Sequence, residues 1–380
     1  MKILILSCNT GEGHNAAGRA VKERLIYDGH EAVMLDYMQL ASKKTSTIVG
    51  QTYVKIAKNL PWLFSFIYKL GGLISSARHK SPVYLANKLM AKHLERYLDV
   101  NDFDAIVMPH LFPAETMTYM KRKGTLKLPT VAIGTDYTCI PFWEETECDY
   151  YIIPHPELTE EFVEKGIPEE KLLPYGIPVG MAFTRKGDKK AARERLKLPT
   201  DCPMYLVMSG SMGFGKIHLF AFELSRKCKA GEQIVIICGN NQKLKRTLRQ
   251  EFRWNKAVHV IGFTEHVADY MEACDVIYTK PGGLTSTEAL VKNIPIVHTA
   301  PIPGCETRNR DFFASRGMSV SAERIRTQVA QGRTLVQNQA IREGMAEAQR
   351  QNACPDAAEK IVKLLERLVE ENRHLHPKKM

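Results

Sequence analysis

The chain has 380 residues, 44% of them hydrophobic and 25% charged, the makeup of a globular protein too long for a single core. No apolar run approaches the roughly 18 residues needed to span a bilayer, which excludes a helical membrane protein. The nine cysteines fall singly in apolar segments, without CxxC or Cys/His spacing, which excludes a zinc ribbon or a disulfide scaffold and points to reduced thiols and a cytoplasmic protein. The net charge of +11 is concentrated: residues 41–98 hold ten Lys and Arg against one acid, Glu95.

The first apolar run, KILILSC, begins directly after Met1, too short for the core of a secretory leader. A glycine loop follows, SCNTGEGHNAAGRA. Gly11-x-Gly13-x-x-Ala16 opens a helical stretch, and Asp36 ends the next strand, EAVMLDY, about twenty residues on, close to a dinucleotide fingerprint. His14 argues against that reading, because it crowds the path a pyrophosphate would take. A histidine at a helix start often bonds only a neighbouring carbonyl. Here its place on a loop after a strand, facing an expected interdomain cleft, favours proton acceptance near neutral pH.

The basic stretch KIAKNLPWLFSFIYK, from Lys55 to Lys69, comes next. Trp62, Phe64, Phe66 and Tyr68 are mixed with Leu and Ile between lysines. Three readings apply: an interfacial segment on an anionic membrane surface, spanning about Lys55–Lys80; a buried helix with solvated lysines; and nucleic-acid binding. The first is preferred, and no nucleic acid is expected. Strands DAIVMPH and PTVAIGT complete a first alternating β/α series, and Asp136 stands on the loop after PTVAIGT, either as a second acid–base group or as a strand-end turn cap.

A Pro/Gly-rich passage, PYGIPVGMAFTRKGDKK, separates this series from a second: MYLVMSG, QIVIICG, VHVIGF, CDVIYTK and IPIVHTA. Two doubly wound halves joined near residue 180 are predicted, followed by a helical tail. Parallel sheets bind ligands beyond the carboxyl ends of their strands, so the glycine loops there matter most. The loop KPGGLTSTEAL places Gly282 and Gly283 before Thr285, Ser286 and Thr287. It reads either as a helix start bared for a phosphate or as a turn capped by Thr285. No metal-ligand cluster is visible in the sequence; Asp149, Asp275 and Asp311 are isolated along it.

Together these motifs resemble the diacylglycerol glycosyltransferases, the family of monogalactosyldiacylglycerol synthase and processive diacylglycerol glucosyltransferase (glycosyltransferase family 28). The resemblance rests on GEGHNAAGRA, TDYTCIPFW, GIPV, SGSMG, KPGGLTSTEAL and PIPGCETRN, in the family's order across nearly the whole chain. It implies a GT-B fold: an acceptor and membrane domain at 1–178, a donor domain at 179–335, and helices at 336–380 that partly return to the first. It implies inverting transfer of a hexose from a UDP-sugar to diacylglycerol, or a glycosyl-diacylglycerol, by an enzyme peripheral on the inner face of the plasma membrane. Neither a cofactor nor a metal is expected.

By the same resemblance, Gly282, Gly283, Leu284 and Thr285 hold the donor diphosphate and Glu288 the ribose. Ser211, Met212 and Gly213 form the opposite wall, Phe263 packs the uracil, and Glu306 contacts the sugar hydroxyls. Gly13 lies in the first glycine loop; His14 is the base, and Asp136 assists it or replaces it. Three positions depart from the family pattern: Cys305 where relatives have Gln, Gly180 where they have Arg (Arg185 could substitute), and Ile140 where many have His. Other readings that remain are transfer to a polyprenyl-linked sugar or soluble acceptor, and a non-catalytic UDP-sugar sensor.

Overall fold

The computed structural model describes residues 1–8, 11–42, 80–208, 217–302 and 304–375. The chain folds into two compact units: Met1–Met181 with Pro303–Cys305 and Cys354–Met380, and Ala182–Ile302 with Glu306–Ala353. Each is built on a six-stranded, wholly parallel sheet.

In the first unit the strands are β1 (Lys2–Ser7), β2 (Glu31–Asp36), β3 (Ala105–Met108), β4 (Thr130–Ile133), β5 (Tyr150–Ile152) and β6 (Leu172–Leu173), in the order β2-β1-β3-β4-β5-β6. The apolar run of β1 is continuous because the strand is covered on both faces, and Ile3 to Leu6 have no exposure. Helix α1 (Glu12–Tyr27) follows β1, and α2 (Leu111–Arg122) follows β3. The order reverses between β1 and β3, so the loops after these two strands diverge and leave a crevice at their carboxyl ends.

The second unit holds β7 (Met204–Met208), β8 (Gln233–Ile237), β9 (Val258–Ile261), β10 (Val276–Thr279), β11 (Ile296–His298) and β12 (Val320–Ser321), in the order β12-β11-β10-β7-β8-β9. Its reversal lies between β7 and β10. Helix α3 (Gly283–Lys292) follows β10, and α4 (Cys305–Ser315) follows β11. Helices α5 (Ile325–Gln337) and α6 (Gln339–Asn352) stay with this unit, where Val329, Leu335 and Met345 join the core of Tyr205, Val207 and Tyr278.

The last helix, α7 (Ala357–Leu375), belongs to the first unit. Its Ile361, Val362, Leu365 and Leu368 pack on Ile3, Ile5, Val107 and Val131. At about 1.5–3 kcal/mol for each fully buried aliphatic side chain, this seam holds the helix far more firmly than its surface ion pairs do. Those pairs include Arg24–Glu359 at 3.0 Å and Arg373–Asp104 at 2.8 Å.

Candidate active site

In the first unit, the crevice between β1 and β3 collects His14, Pro109, His110 and Thr135 from three separate loops. The hydroxyl of Ser7, at the end of β1, donates to Asn15 Oδ1 at 2.7 Å and so ties the strand end to the first turn of α1. His14, the third residue of that helix, is half-buried. Its Nδ1 lies 2.9 Å from the carbonyl oxygen of Pro109 and 2.9 Å from Thr135 Oγ1. A carbonyl can only accept, so Nδ1 carries the ring proton and donates it. The lone pair of the neutral ring is thereby placed on Nε2, which has no hydrogen-bond partner among the described residues.

Burial lowers the pKa of His14 below the usual imidazole value, while the charge of Asp136 and the Pro109 carbonyl pull it back up. The ring is therefore neutral near pH 7, and groups that stabilise its protonated form stand ready beside it. Asp136 follows β4 and is half-buried, so it acts on the imidazole through its charge. The carbonyl that His14 reaches belongs to a strand end 95 residues away, not to a sequence neighbour. Asp36, the acid of the apparent dinucleotide fingerprint, serves as a cap at the end of β2. Its carboxylate accepts from Met38 N–H at 3.1 Å and caps a short turn.

In the second unit, α3 begins directly after β10. Its N-cap is Gly282, with extended backbone and no side-chain cap, so Thr285 does not cap the helix. The first intrahelical bond runs from Ser286 N–H to Gly282 O at 3.0 Å. The N–H groups of Gly283, Leu284 and Thr285 thus form a first turn that no side chain caps, with the positive end of the helix dipole behind them. Gly282, Thr285 and Glu288 are half-buried and fall on one stripe at three-residue spacing, while Gly283, Leu284, Ser286 and Thr287 are buried. Leu284 sends its side chain into the core, so it can serve a ligand only through its backbone.

The buried stripe fixes the helix. Ser286 Oγ lies 3.0 Å from His298 Nε2, Ser319 Oγ lies 3.1 Å from its Nδ1, and Thr287 Oγ1 donates to Gly283 O at 2.7 Å. Beside Gly282 stands an ion pair between Lys280 Nζ and Glu306 Oε1. Glu306 is 6% exposed, and its other oxygen accepts from Ile302 N–H at 2.8 Å. Both oxygens of the carboxylate expected at the sugar hydroxyls are therefore engaged within the protein. Asn309 Nδ2 donates to Pro281 O at 3.0 Å and pins the same loop.

Phe263 stands after the edge strand β9 and is 63% exposed. Gly13 is half-buried in the first turn of α1. Ser211, Met212 and Gly213, and the basic aromatic stretch from Lys55 up to His79, lie outside the described residues. Lys280, Pro109, His110 and Thr135 were not singled out by sequence, although each sits on a loop following a strand, where the parallel-sheet rule directs attention.

Residues 14–179 match the family model described as monogalactosyldiacylglycerol (MGDG) synthase, and residues 190–352 match the model for glycosyl transferases group 1. A processive diacylglycerol beta-glucosyltransferase of Staphylococcus carnosus (strain TM300) is 32% identical over 56% of this chain and 54% of its own length. Its counterpart from Staphylococcus saprophyticus subsp. saprophyticus is 28% identical over 98% of this chain and 94% of its own. Among solved structures, MurG of Acinetobacter baumannii superposes with a TM-score of 0.61 at 17% identity, covering 96% of this chain and 99% of its own. A UDP co-structure of S. aureus MnaA gives 0.61 at 14%, covering 95% of each chain. These likenesses in structure identify the fold as GT-B.

Proposed function

The chain belongs to the diacylglycerol glycosyltransferases, and from that premise we propose that it moves a hexose from a UDP-sugar to diacylglycerol, or to a glycosyl-diacylglycerol, with inversion at the sugar carbon. The observation that carries this reading is the uncapped first turn of α3, flanked by Lys280. A diphosphate gains negative charge as the sugar–oxygen bond breaks. Fixed N–H groups aimed at that charge, with the Lys280–Glu306 pair beside them, lower the barrier. The reading asks for no resident metal.

On the acceptor side, His14 Nε2 takes the proton of the glycerol hydroxyl. The oxygen forms its bond to the anomeric carbon on the face opposite UDP, and UDP departs with the electron pair of the broken bond. Imidazolium formation is eased by Asp136 and by the Pro109 carbonyl. Glu288 is assigned to the ribose and Phe263 to the uracil. Glu306 is assigned to the sugar site through Lys280 rather than by a free carboxylate.

The lipid acceptor places the work at a membrane surface, on the cytoplasmic face where UDP-sugars are made. The segment Lys55–Lys80 is assigned to anionic headgroups. Incubation with a panel of UDP-sugars and diacylglycerol vesicles, with lipid products read by mass spectrometry, tests the reading. Glycosyl-diacylglycerol should form from UDP-glucose or UDP-galactose. Turnover of donor only with polyprenyl-linked or soluble acceptors would refute the lipid assignment.

A further inference from the structure

His110 lies at the centre of the first unit's crevice and has no assigned part in the reaction. It is the residue joined to Pro109 by the very peptide group whose carbonyl holds His14. It is 6% exposed, and its ring packs edge-on against His14 with centroids 4.6 Å apart at 70°. Its Nδ1 accepts from Phe112 N–H at 3.1 Å, so the histidine side chain is the N-cap of α2, with extended backbone at φ −137° and ψ 144°.

One side chain thus does two things. As a cap it fixes the backbone at the start of α2, and with it the direction in which the Pro109 carbonyl points. As a ring it closes one side of His14 from water. Because Nδ1 must stay unprotonated to accept from Phe112, His110 is held neutral. Burial and the neighbouring His14 both lower its pKa, in keeping with that demand.

We infer that His110 is a positioning residue that selects the tautomer of His14: by capping α2 it aims the Pro109 carbonyl at His14 Nδ1, which leaves Nε2 open to take a proton. The inference rests on His14 being the base only for its consequence in turnover; the tautomer itself is a property of the resting protein.

The test is nitrogen-15 NMR of histidine-labelled full-length protein, with the His14 ring assigned by comparison with His14→Gln. The wild type should show a protonated Nδ1 and an unprotonated Nε2. His110→Asn, which retains a capping acceptor, should keep that tautomer and near-normal kcat. His110→Ala and His110→Phe, which lack one, should shift the proton toward Nε2 and lower kcat about tenfold or more, with the donor KM unchanged. A role in stability alone predicts lower melting temperatures with the tautomer intact, and that result in the Ala or Phe protein overturns the inference.

Loss of the tautomer in His110→Asn overturns it as well, so the question stays decidable even if the other two variants do not fold. A shifted tautomer with unchanged kcat supports the positioning and instead refutes His14 as the base.

Discussion

Acidification should loosen the second unit through His298. This side chain has no exposure, packs on the Phe313 ring with centroids 5.4 Å apart, and is bonded through both ring nitrogens to Ser286 and Ser319. Burial, reinforced by the charge of Arg310, lowers its pKa to about 3. The folded protein therefore keeps the ring neutral, while in the unfolded chain it takes a proton below about pH 6.5. As pH falls between those two values the unfolded state binds more protons, and stability drops by about 1.4 kcal/mol per pH unit.

From pH 7 to about pH 5 that gives about 2 kcal/mol. His14 and His110 have lowered pKa values too and act with the same sign, so the wild-type slope alone does not isolate His298. The comparison with His298→Asn, which cannot titrate, does. Calorimetric melts of the two proteins at both pH values should show the wild type losing about 2 kcal/mol more than the variant. Parallel losses in the two proteins would refute the reasoning, because they would mean that His298 is protonated in the folded state or reached by water.

His14→Ala should leave UDP affinity nearly unchanged and lower kcat about 10²–10⁴-fold; a parallel fall in affinity measured by calorimetry would contradict the base assignment. Because the base must be neutral and its pKa lies below the ordinary value of 6.5, the acid limb of the kcat profile should lie below that pH; a limb at or above it would count against His14. Glu288→Ala should weaken UDP binding most, and Lys280→Met should weaken UDP more than uridine, with a loss that shrinks in high salt; equal losses for UDP and uridine would place Lys280 away from the phosphates. For Trp62→Ala/Phe64→Ala, vesicle flotation should fall at every salt concentration while UDP affinity stays. A double variant that melts early would instead mark a buried helix.

The two sheets were legible because nine of their strands are largely apolar runs between helix-length segments, as a doubly wound parallel sheet requires. The other three were not: β6 and β12 are only two residues long, too short to carry any period, and β5, three residues long like β11, follows the charged stretch EETECD rather than a helix-length segment. At the site, the glycines of KPGGLT gave away the helix start, since residue type reports the backbone there. The alternative of a turn capped by Thr285 does not hold. A hydroxyl at a helix start is a good capping candidate by type, yet the helix begins early enough to put this residue in its third position. Pairings over long separations, such as Lys280 with Glu306 or His14 with Pro109, leave no trace in local spacing.

The same distinction explains where the two glycine loops differ in kind. Both follow the central strand of a doubly wound sheet at its point of reversal, and both open helices whose N-caps lack a side-chain acceptor. Backbone geometry alone would make each a phosphate site. What separates them is the third residue of each helix and its neighbours. In α3 that residue is Thr285, in a first turn that no side chain caps, with the positive end of the helix dipole behind it and the Lys280–Glu306 pair beside Gly282. In α1 it is His14, whose ring is held over the turn by Pro109 and Thr135 and offers an acceptor instead of a row of donors. On the proposed function, one fold element serves opposite chemical roles, with α3 receiving charge and α1 receiving a proton. On that proposal, a sequence carrying the glycines of both loops but lacking His14 keeps the first role and loses the second, so loss of transfer with UDP binding retained is the outcome expected of such a chain.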